Sequence, residues 1–125
     1  MQEVDIKETP VGEIEQKQKA LIKIVGMMEF AEPILLTFPK YVRFTRVADM
    51  TRCMDKMMER TIEANKKYYK KTTLQELDVE IEKLRKYVYL SFRLKYINAR
   101  KYQHWSEKVD EIGRLVGAWI QKVKQ

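Results

Sequence analysis

This chain of 125 residues has little of what most catalytic sites are built from. It has one histidine, His104, and one cysteine, Cys53. A histidine-based metal cage therefore cannot be assembled, and no Cys–His pair with a third orienting group is visible. Glu-x-x-His, the signature of carboxylate-bridged metal bundles, is absent. There is no P-loop and no Gly-x-Gly-x-x-Gly. A single cysteine leaves no internal disulfide and suits a reducing cytoplasm. No apolar run approaches the ~20 residues of a membrane span. The start, MQEVDIKETPVGE, is polar and acidic and lacks the apolar core of a signal peptide. The expectations are a cytoplasmic protein, not an enzyme, with no metal, no cofactor and no membrane partner.

What is present points to helices. The chain is 45% hydrophobic and 34% charged, with only four Gly and three Pro. Length and composition fit one helical domain with a real core. Pro10 and Gly12 close an acidic arm over 1–12, expected to be flexible, and a bundle is expected over 13–125. Net charge is +7, which favours polyanionic partners, nucleic acid before anionic membrane. That charge is uneven. Residues 1–38 carry four Lys and seven acids, a net of −3; residues 39–125 carry 21 bases and 11 acids, a net of +10.

Four stretches show apolar residues alternating at three and four, the mark of an amphipathic helix. The clearest is the last, with Tyr102, Trp105, Val109, Ile112, Val116, Trp119 and Val123. Trp105 and Trp119 are its large packing residues. Gly113 and Gly117 lie one turn apart, where each costs about 1 kcal/mol of helix propensity; the spacing predicts close approach of another backbone. The first helix reads Leu21, Ile24, Met28, Ala31 and Leu35, with Pro33 expected to kink or end it. The second is expected from about Arg43 to Lys70, with Val47, Met50, Met54, Met57 and Thr61 as its seam and Cys53 as a small core residue. Its methionines read as deformable core filler before any metal or peptide site. Thr73 and Glu76 form a capping box expected to open the third helix. That helix then runs through Leu74, Leu77, Ile81, Leu84 and Val88. Its second half is apolar nearly all round, which predicts self-association. Asn98 is expected to cap the fourth. Short turns between four such helices predict an all-α, up-down-up-down four-helix bundle.

The basic residues carry the remaining functional signal. Arg52, Lys56 and Arg60 recur at four-residue steps on one side of the second helix. Lys66, Lys67, Lys70 and Lys71 follow, around Tyr68 and Tyr69, whose rings could stack on bases. Arg85, Lys86 and Arg93 can add to them from the third helix. Together these are the candidate nucleic-acid residues, acting by phosphate neutralisation rather than base reading. The bland alternative is a solvated face whose cations pair with Asp55, Glu59 and Glu63. A cationic amphipathic protein at membranes is the weaker third reading.

The ending DEIGRLVGAWIQKV resembles that of the accessory variability determinant (Avd) proteins of diversity-generating retroelements, through Gly113-Arg114, Gly117 and Trp119. The stretch EPILLTFPK, with Pro33 and Pro39, is similar to the family's exit from its first helix, and Leu84-Arg85 matches a pair in its third. The resemblance spans roughly residues 17–123 and leaves out the acidic arm. It implies a four-helix bundle assembled as a homopentameric barrel, without enzymatic activity. It implies binding to the element's reverse transcriptase and to RNA and cDNA, in support of mutagenic copying of a template RNA. The same fold occurs in proteins encoded in intervening sequences of ribosomal RNA genes, and that branch stays open.

Overall fold

In the computed structural model, residues 13–124 are described. The arm expected over 1–12 lies outside them. Helix α1 spans Glu13–Leu35, α2 Ala48–Lys66, α3 Lys71–Arg93 and α4 Ala99–Lys124. No strand occurs among the described residues. α1 packs on α2 and α4, α2 on α3, and α3 on α4, so the four helices close a ring around one core.

The core follows the periodicity. Leu74, Leu77, Ile81, Leu84 and Val88 are all buried on α3, and Trp105, Val109, Ile112 and Val116 on α4. Met50, Met54, Met57, Thr61 and Cys53 are buried on α2. Buried hydroxyls are satisfied locally: Thr61 Oγ1 donates to the Met57 carbonyl at 2.8 Å and Ser91 Oγ to the Tyr87 carbonyl at 2.8 Å. On α1, Met27 and Ile34 are buried beside Ile24, Ala31 and Leu35, and Met28 packs only partly. Three of the five residues read as the α1 seam are therefore buried, while Leu21 and Met28 are half-buried and Met27 and Ile34 complete the inward stripe. Val123, at the end of the α4 seam, is exposed.

Pro33 lies inside α1, which ends two residues beyond it, at Leu35. The connections differ from expectation in three places. Between α1 and α2 the chain makes a 3₁₀ turn, Lys40–Val42, and a π-helical turn, Arg43–Val47. α2 proper therefore starts at Ala48, and it ends at Lys66 rather than Lys70. The capping box at Thr73 does not form. α3 begins at Lys71, Thr73 is buried inside its first turn, and its hydroxyl accepts from Lys67 Nζ at 3.1 Å. Asn98 caps as expected, with its Oδ1 accepting from the Lys101 N–H at 2.8 Å.

The exit of α3 is a Schellman turn that no glycine announces. The Tyr96 N–H reaches the Ser91 carbonyl at 2.9 Å, and the Lys95 N–H reaches that of Phe92 at 3.0 Å. Lys95 takes the left-handed position, φ 65°, usually held by glycine. Just before it, the apolar half of α3 finds partners within the chain: Phe92 stacks on Tyr102 of α4 at 4.5 Å, and Tyr89 lies 6.2 Å from the same ring.

Candidate nucleic-acid interface

The ten basic positions expected to meet phosphate fall into three groups. The first is the α2 row. Arg52 Nη1 lies 3.0 Å from Asp49 Oδ1. Arg60 faces the α2–α3 seam, with Glu63 at 2.6 Å, Glu76 of α3 at 3.7 Å and Glu59 at 4.0 Å. Its hydrogen bond to Glu63, then these surrounding carboxylates, hold its pKa above the usual arginine value despite burial. Only Lys56 in this row has no acidic partner among the described residues.

The second group lies in the α2–α3 connection. Tyr68 and Tyr69 are exposed there, edge to face at 4.8 Å. Lys66 and Lys71 are exposed beside them. Lys67 and Lys70 have structural work. Lys70 Nζ donates to the Ala64 carbonyl at 2.6 Å and to that of Lys67, so it closes the end of α2, where a cation also suits the helix dipole. Lys67 spans from Thr73 to Glu63, at 4.0 Å.

The third group sits on α3. Arg85 donates to Glu82 and, at 3.1 Å, to Asp110 of α4. Burial works against its charge, but the two carboxylates outweigh that and raise its pKa above the usual arginine value. Hydrogen bonding to Arg85, ahead of a small opposing burial, holds Glu82 below the usual carboxylate range. Lys86 lies 3.8 Å from Glu82, and Arg93 Nη1 donates to the Tyr89 hydroxyl at 3.4 Å. The α2 row and the α3 group do not merge into one surface. The Glu80 carbonyl meets Cys53 of α2 while Arg85 meets α4, and five residues along a helix turn through about 140°.

Arg85 also accounts for one glycine. A Cβ on Gly113 would lie 3.1 Å from Arg85 Nη2, so the close approach is by a guanidinium and not by a backbone. A Cβ on Gly117 would meet nothing within 4 Å. The backbone contact expected at this glycine is not made within one protomer. Trp105 is fully buried, edge-on to Phe30 of α1 at 6.4 Å, and Trp119 packs partly on the core. A groove of about 510 Å³ runs between α3 and α4, lined by Asp78, Glu82 and Asp110 against Arg85 and Arg114. Among the described residues no group of His, Cys, Asp and Glu is placed to hold a metal ion, and no helix is long and apolar enough to cross a membrane.

Reading basic rows along helices missed the cations of the loops. Residues 33–48 and 83–106 contain no Asp or Glu, and this acid-free spacing was the available signal. Lys40, Arg43, Lys95 and Arg100 fall in those windows, all exposed.

Fold and charge together define a class: a small basic four-helix bundle whose cations lie on its surface and at both of its ends. Within that class, a family model described as bAvd-like matches residues 15–123, and the chain belongs to that family. No curated protein and no solved structure matches the chain.

Proposed function

We propose that this chain is a non-enzymatic accessory protein of a diversity-generating retroelement. It binds the element's reverse transcriptase together with RNA and cDNA, and it supports mutagenic cDNA synthesis from a template RNA in the cytoplasm. The carrying observation is the family match over residues 15–123. The excess of +10 over residues 39–125 supports the nucleic-acid part. The working form is a homopentamer. Two adjacent helices support self-association, since Ile22 and Val25 are exposed on α1 and open backbone lies at Gly26 of α1 and Gly117 of α4.

The test is co-purification with the reverse transcriptase encoded beside it, followed by template-dependent cDNA synthesis with and without this protein. Capture of the polymerase and a rise in cDNA are expected. If the gene lies within a ribosomal RNA gene and no polymerase is captured, the retroelement role falls and the intervening-sequence branch replaces it.

A further inference from the structure

At one end of the bundle the two connections between helices carry cations and no acids. The α1–α2 connection and the α3–α4 turn meet there, joined by the rings of Phe38 and Tyr96 at 5.2 Å, with Tyr41 close beside Tyr96. Lys40 and Arg43 come from the first connection, Lys95 from the second and Arg100 from the first turn of α4. None of the four forms an ion pair among the described residues. They contrast with Arg52, Arg60 and Arg85, each already facing a carboxylate.

Two aromatic rings stand open in the same place. Tyr41 is 79% exposed and Phe44 87% exposed. Phe44 has no polar atom to explain its position in water, and the π-helical turn Arg43–Val47 holds its backbone in regular structure. Lys95 holds a left-handed backbone that glycine would adopt without strain, so a charged side chain stands where the turn alone would favour none.

We propose that this end is a platform for single-stranded nucleic acid, with bases stacking on Tyr41 and Phe44 while Lys40, Arg43, Lys95 and Arg100 neutralise the adjoining phosphates. It rests on the nucleic-acid reading above and moves the contact from the α2 row to the loop end. Stacking needs open ring faces and unpaired bases, and phosphate contact is strongest from cations without competing carboxylates. A duplex keeps its bases stacked on one another and can use only the cations. Anionic lipid could also use cations beside aromatic groups, and the test separates it.

The full chain is titrated into a fluorescent uridine 20-mer, into a mixed-sequence RNA duplex, and into phosphatidylserine-containing vesicles. Phe44→Ala should weaken the single strand about 5- to 100-fold with its salt slope unchanged, and leave the duplex nearly unaffected. Phe44→Trp should restore binding. Lys40→Gln with Arg43→Gln should lower the salt slope by about 1.4, from roughly 0.7 per phosphate contact on single strands. Circular dichroism and light scattering establish that each variant keeps fold and assembly. If the wild type binds RNA and all variants match it, the platform is refuted and the nucleic-acid reading stands. If the wild type binds no RNA, both fall. If Phe44→Ala loses vesicles but not RNA, this end is a lipid contact and the platform is wrong.

Discussion

At the scale of single residues, burial decides reactivity at Cys53. Its Sγ lies 3.0 Å from the Glu80 carbonyl, to which it donates. Burial first, then Glu80, push its pKa from an ordinary 9.0 up to about 12. Native protein should therefore resist thiol reagents near neutral pH and react only on unfolding, as timed labelling with and without urea will show. The folded chain favours the neutral thiol, so this contribution is full below pH 9.0 and is lost as pH rises toward about 12. Urea unfolding should show wild type losing stability relative to Cys53→Ala across that window. The two glycines of α4 separate by the same kind of argument. Gly117→Ala meets open space and should raise protomer stability by up to about 1 kcal/mol through helix propensity. Gly113→Ala should gain less, because the Arg85 guanidinium must first shift. A Gly117→Ala protein that is less stable, or that dissociates, would place a neighbouring subunit against that turn. The sequence marked both positions as special but could not say what approached them, since a guanidinium reaching over from α3 leaves no periodic trace.

At the scale of elements, the seams were legible and the ends were not. Alternation at three and four exposes a buried stripe because helix geometry repeats it, and all five residues read on α3 are buried. Ends depend on single local bonds. Asn98 was readable because its side chain is the cap, and Asn98→Ala should cost about 1 kcal/mol in a urea titration while Asn98→Asp should not. The Lys95 turn was not readable, because its bonds run through the backbone and the residue at its centre is the wrong type for the position. Lys95→Gly should stabilise the protein by about 1 kcal/mol, near the lower end of what a left-handed backbone costs a side-chain-bearing residue. The same variant should bind single-stranded RNA with a salt slope lower by about 0.7 if that lysine meets phosphate. Stability and binding would then move in opposite directions from one substitution. The α2 row shows the converse limit. Its four-residue spacing was correct, but spacing carries no information on which carboxylates of the next helix will face it, and Glu76 of α3 is one of them.

At the scale of the whole molecule, charge and assembly are linked. The proposed pentamer predicts a single species near 75 kDa, five times 15.1 kDa, by light scattering coupled to size exclusion. A monomer at micromolar concentration would sink that proposal. Changing Arg52, Lys56 and Arg60 together to Ala should flatten the RNA salt slope by about 0.7, the share of one contact rather than three, because two of the three already face acids. Changes at Lys40 and Arg43 should do more per residue. The helical class and the basic half were plain from composition, which is a property of the whole chain. Which end carries the unpaired charge depends on how connections meet, and only folding brings Tyr41 beside Tyr96.

The π-helical turn at Arg43–Val47 has a consequence for how the chain tolerates length changes. A π turn holds one more residue than an α turn spanning the same rise. Removing Thr45 would let α2 wind back as an ordinary helix, with Met50, Met54 and Met57 keeping their phase against the core. A π turn and an α turn each complete one circle, so the chain upstream, α1 included, would keep its place against the core. Only the residues of the turn itself, Phe44 among them, would take new directions while the hydrophobic seam stayed whole. The turn acts as a spacer that sets the bearing of one rim of the bundle independently of its interior, so insertions and deletions there retune a surface without refolding the protein.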